Sequence, residues 1–131
     1  MTPTPRLPDY LRHMQAAAQQ TLAYTAGMDL AAFMADFRTQ HAVLFNFVIL
    51  GEASAKLMDR YPDFVVQHPT VPWRAIRNMR NQLAHGYFKV DNERLWNTVI
   101  GALPELLAQL PAVIAAADLQ GAPPSATEPD S

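Results

Sequence analysis

The stretch VPWRAIRNMRNQLAHGYF, residues 71–88, decides how the rest of the chain is read. Pro72 suits the opening of a helix, where a missing N–H costs no bond, and Gly86 is a natural stop. Trp73 to His85 between them contains no helix breaker. At 100° per residue, Ala75, Ile76, Met79 and Leu83 fall on one side. Arg74, Arg77, Asn78, Arg80, Asn81 and His85 fill the opposite arc, about 160° wide by the same geometry. No acid shares this arc, although a solvated helix ordinarily mixes charge signs through i,i+4 pairs. Guanidinium forks match phosphate oxygens and asparagine amides add neutral hydrogen bonds, so the arc suits a phosphate ligand.

Working outward, every other segment also reads as helix, because none sustains a period-2 alternation of β-branched residues. A first helix is expected after Pro8, with Asp9 as its cap and a stop at Gly27. Asp29 can cap a short second helix reaching Phe37. Thr39 can cap a third that runs to about Tyr61, where Pro62 ends it. Val43, Leu44, Phe45, Phe47, Val48, Ile49 and Leu50 cover most of that helix's circumference, which predicts a central place in a bundle or a surface shared with a second subunit. Glu52 lies just beyond the run, and a carboxylate there needs a partner, for which an arginine is the obvious candidate. Pro62, Pro69 and Pro72 mark a loop before the fourth helix, Trp73–His85. A fifth helix is expected from Asp91 to about Ala117, kinked or divided at Pro104. The expectation is therefore an all-α, up-and-down bundle of four to five helices. Its core spans about 8–118, with loose proline-rich tails at 1–7 and 120–131, and no internal repeat is visible.

Composition bounds the function. The 131 residues fit one domain, and half of them are apolar, enough to bury a core. There is no cysteine, which removes disulfides and thiolate metal sites. The apolar run at 42–51 is about half the length a membrane span needs, and the first ten residues lack a signal-peptide layout. No membrane association and a cytoplasmic location are expected. The net charge of −2 argues against a protein that coats nucleic acid through general basicity. Yet five of the ten basic residues, Arg74, Arg77, Arg80, Lys89 and Arg94, fall between 74 and 94, opposed there only by Asp91 and Glu93. A local positive patch describes the chain better than its sum.

Asn81, one turn before His85, can orient that imidazole and set its tautomer. A histidine beside an arginine is the minimal kit for cleaving RNA without a metal. The histidine moves a proton to or from the 2′-hydroxyl or the leaving 5′-oxygen, and the arginine meets the charge on the phosphorane. The 2′-hydroxyl is the nucleophile, so neither serine nor cysteine is needed, and RNA is preferred to DNA. The same spacing also occurs on plain solvent or interface helices, and a histidine near a helix C-terminus can simply favour the dipole.

The segment 71–88 resembles the signature of the HepT-like family of the HEPN superfamily. Arg80, four residues, His85, Gly86 and Tyr87 form its R-x4-H-x-Y pattern. ILGEASAKL resembles the family's Gly-Glu-Ala segment at Gly51, Glu52 and Ala53. FMADFRTQHAV and the Leu-Pro-Glu-Leu turn near Pro104 fit the same layout, so the similarity runs from about 8 to 115. The resemblance implies a HEPN-type bundle and a homodimer that brings two Arg80–His85 pairs into one cleft. It implies a metal-independent endoribonuclease, the toxin of a toxin–antitoxin pair, with Arg80 and His85 catalytic and RNA as substrate. It further implies that a cognate MNT-type nucleotidyltransferase antitoxin modifies Tyr87 with AMP. Arg74 and Arg77 are then candidate RNA phosphate contacts and Asn81 a supporting residue. An alternative is a non-catalytic HEPN module that binds a nucleotidyltransferase or a nucleotide. A plain helical dimer whose basic face has no substrate is the third.

Other residues read as structural. His13, His41 and His68 lack ligand spacing with one another or with His85, so no metal site is expected. Trp73 and Trp96 are expected as core anchors. No glycine-rich phosphate loop is present, and no cofactor is expected.

Overall fold

The computed structural model describes residues 5–86 and 90–120. Their elements are α1 (Leu7–Tyr24), α2 (Leu30–Met34), α3 (Phe37–Arg60), α4 (Pro62–Gln67), α5 (Trp73–Gly86), α6 (Asn92–Ile100) and α7 (Ala102–Gln120). The all-α class is the expected one, but the described residues form seven helices, not four or five. One addition is α4, a short helix inside the proline-marked loop, which forms because Pro62 stands at its first position. The other comes from division of the last helix at Gly101, not at Pro104. Gly101 adopts φ −112° and ψ −82°, off the helical values. Pro104 instead falls in the first turn of α7, where it breaks no bond. Pro111 lies inside α7 without ending it.

Capping explains most boundaries. Asp29 accepts from the Ala32 N–H at 2.8 Å, as expected of a cap, and Asp91 accepts from the Glu93 and Arg94 amides. The cap of α3 is Asp36, however, not Thr39. Asp36 accepts both the Thr39 amide at 3.0 Å and the Thr39 hydroxyl at 2.8 Å, so the threonine donates where it was expected to accept. The backbone amide first, and the hydroxyl second, hold the Asp36 carboxyl below the usual carboxylate range. Helix α1 also begins earlier than expected. Leu7 is its first residue and is buried, so ordered core reaches into the stretch read as a loose tail. Asp9 is not the cap but sits in the first turn, accepting from the Arg6 N–H at 2.8 Å. Tyr24 ends the helix, and Gly27 serves the following turn at φ +79°, a value only glycine adopts without cost.

Helix α3 occupies the centre, packing against α1, α2, α4, α5 and α6. Val43, Phe47, Leu50 and Leu57 are buried there. Leu11 and Met14 of α1 and Leu110 of α7 join the same core. Phe33 of α2 meets Trp96 of α6 with ring centroids 5.3 Å apart. Both tryptophans are buried, as anchors should be. Helices α3 and α7 are long and apolar enough to cross a membrane by length and composition. In α3 half of that apolar stretch is buried in the bundle, and its last turns carry Glu52, Lys56, Asp59 and Arg60. One residue of its apolar run stays outside: Phe45 is 66% exposed.

Candidate functional site

Helix α5 packs chiefly against α3. Buried Ser54 of α3 donates its hydroxyl to the Trp73 carbonyl at 2.7 Å, fixing the start of α5. One turn back along α3, Gly51 meets Arg80 two turns on along α5, so the two helices run antiparallel. A Cβ on Gly51 would lie 2.0 Å from the Arg80 Cβ and 3.1 Å from its Cα. The α3 backbone therefore rests directly on the root of the Arg80 side chain. Glycine in mid-helix costs about 0.5–1 kcal/mol relative to alanine; here it permits the approach.

Glu52, the next residue, accepts from Arg80 Nη1 at 2.6 Å. This is the arginine partner expected for Glu52, and the structure selects Arg80 from the three on α5. The pair is partly solvated, with side-chain exposures of 26% for Arg80 and 50% for Glu52. Arg80 Nε is buried and has no hydrogen-bond partner.

The remaining polar arc divides. Arg74, Asn78, Asn81 and His85 are exposed, and Arg77 is half-buried. Neither Arg74 nor Arg77 forms an ion pair among the described residues. Asn81 and His85 share an exposed edge, but no hydrogen bond joins them there, so the expected orienting contact is not made among the described residues. Arg80 and His85 do not converge within one chain. Five residues separate them, about 140° around the helix and about 7.5 Å along it. Arg80 turns toward α3 and His85 toward solvent. Continued antiparallel, the last turn of α5 runs toward the turn of α3 that carries exposed Phe45. Tyr87 and Lys89 lie outside the described residues.

One feature of the site was not read from the sequence. The apolar side of α5 faces an open pocket of about 580 Å³, lined by Met79 and Leu83 together with Leu95 and Leu103. It also brings Gln82 of α5 to the same space as Arg94 of α6. The only sequence signal for Arg94 was its place in the basic cluster. Of the other histidines, His13 lies edge-on to Tyr10 at 6.5 Å and His68 lies 4.4 Å from the Phe64 ring.

Residues 14–113 match the family described as ribonuclease HepT-like. A Thermococcus cleftensis protein named "Probable ribonuclease HepT" is 38% identical over 98 residues, covering 75% of this chain and 86% of its own. A candidate RNase of Methanocaldococcus jannaschii is 32% identical over 98 residues, covering 75% and 77%. Another from Caldanaerobacter subterraneus is 30% identical over 111 residues, covering 85% and 95%. No solved structure matches the chain at a significant level.

Proposed function

The chain belongs to the HepT-like ribonuclease family of the HEPN superfamily, and on that premise we propose a metal-independent endoribonuclease whose chemistry rests on Arg80 and His85. The observation that carries this reading is their contrast on one short helix: a guanidinium anchored to α3 and an imidazole left exposed. In the proposed reaction the 2′-oxygen loses its proton and bonds to phosphorus, while the bond from phosphorus to the 5′-oxygen breaks and that oxygen gains a proton. His85 transfers one of these protons and Arg80 donates to the phosphorane oxygens. Arg74 and Arg77, without acidic partners among the described residues, hold flanking phosphates. The test is total RNA with purified, unmodified protein in EDTA. Cleavage leaving 2′,3′-cyclic phosphate ends is expected; a requirement for Mg²⁺ would sink the mechanism.

The divergence of Arg80 and His85 favours a homodimer in which two copies of α5 share one cleft. Phe45, 66% exposed on α3, supplies the apolar contact. Phe45→Glu should weaken association by about 2 kcal/mol or more with little effect on the fold, because the side chain is already outside the core. Light scattering at micromolar concentration checks this, and a monomeric parent refutes it.

The same reading makes the chain the toxin of a cytoplasmic toxin–antitoxin pair, silenced when an MNT-type nucleotidyltransferase attaches AMP to Tyr87. Two residues past His85, the adduct would add bulk and negative charge where the RNA phosphate must sit. Its tethering gives it a high effective concentration against free RNA. Tyr87→Phe should stay toxic and escape enzymatic silencing. Mass spectrometry of protein co-expressed with the antitoxin locates the adduct, and an adduct on Tyr61 or Tyr10 would refute the assignment.

A further inference from the structure

We infer that Glu52 is the positioning residue for Arg80, aiming a single guanidinium nitrogen, Nη2, at the substrate phosphate. This rests on the reading above that Arg80 meets RNA. The three guanidinium nitrogens have three different fates. Nη1 donates to Glu52 at 2.6 Å, in the short range of charge-assisted bonds. Nε is buried without a partner, out of reach of any ligand. Nη2 makes no hydrogen bond to a described residue and is not among the buried polar atoms. It is the open donor. Arg80 thus offers phosphate the two N–H bonds of Nη2, with the second N–H of Nη1 beside it, and not the fork that Nε shares with Nη2.

The stem is fixed as firmly as the head. Contact between Gly51 and the Arg80 Cβ and Cγ leaves that side of the stem no space to swing. Glu52, one residue on and solvent-facing, then holds the far end. An ion pair this exposed adds little to folding stability, and Gly51 and Ser54 already account for the helix contact. What the carboxylate adds is direction. It also offsets the charge of Arg80 before substrate arrives, so the guanidinium does little for ground-state binding. When charge builds on the phosphorane, an aimed Nη2 gains most, which raises turnover more than affinity.

The test uses the full chain with Glu52→Gln and Glu52→Ala, read as single-turnover rate, RNA affinity and melting temperature. Glu52→Ala should slow cleavage on the order of 100-fold while RNA binds as tightly as before or tighter, because a negative charge near the phosphate is gone. Glu52→Gln keeps an acceptor for Nη1 and should recover part of that rate. Melting should move little in both. An unchanged rate per folded molecule with a lowered melting temperature would overturn the inference, since that is what a purely structural pair does. So would loss of the acidic limb of the pH–rate profile in Glu52→Gln, which would make Glu52 a proton carrier. Side-chain ¹⁵N relaxation of Arg80 gives a readout independent of cleavage. The guanidinium should be ordered in the parent and mobile in Glu52→Ala; mobility in the parent overturns the proposal. An ordered guanidinium in a parent that cuts no RNA would instead uphold the pair and remove the ribonuclease reading.

Discussion

His85→Ala is expected to reduce RNA cleavage by about 10²–10⁴-fold, the range that a positioned general acid or base contributes, without lowering the melting temperature. The side chain is exposed and no hydrogen bond of the described structure depends on it, so its loss should be felt in chemistry alone. Arg80→Lys should cost about 10²-fold or more, the typical cost of one lost donor to a developing oxyanion. Lysine keeps the charge but carries its donors on one atom. It cannot hold Glu52 with one nitrogen, as the planar guanidinium does, and also offer phosphate a second. Single-turnover cleavage in EDTA, set beside thermal melts, separates activity from folding. A His85→Ala protein that cuts as fast as the parent would remove the histidine from the mechanism.

Gly51→Ala should destabilise the protein, against local propensity. Alanine is the better helix former by about 0.8–1 kcal/mol in a helix interior, so α3 alone predicts a gain. The added methyl, however, would sit 2.0 Å from the Arg80 Cβ and 3.1 Å from its Cα. Neither atom can swing aside, so α3 and α5 must part. Overpacking of this kind costs about 1–3 kcal/mol, and the Ser54–Trp73 and Glu52–Arg80 bonds at 2.7 and 2.6 Å span the same interface. A fall in melting temperature of several degrees is expected, together with slower RNA cleavage. Gly86→Ala is the control, because a Cβ there meets nothing within 4 Å. A Gly51→Ala protein as stable as its parent would show that the helices have room to spare.

Local sequence was enough for the all-α class, the Asp29 cap, the span of α5 and its acid-free polar arc. Each depends on residues within a turn or two of one another, where spacing and side-chain chemistry act directly. Boundaries failed where two local signals competed. Thr39 and Asp36 can both cap a helix, and the carboxylate prevailed by taking both the amide and the hydroxyl of Thr39. Pro104 and Gly101 can both end one; Pro104 fell in a first turn, where its missing N–H is harmless.

The candidate site was legible as a list and not as a geometry. R-x4-H could be read along α5, and Glu52 could be said to need an arginine. Which of the three arginines meets it is decided 28 positions away, by how α3 crosses α5. The same crossing turns Gly51 from a weak point in a helix into the contact on which Arg80 rests. It also sends Arg80 inward while His85 stays outward on the same helix. Periodicity places residues on a face, but only packing decides what that face meets.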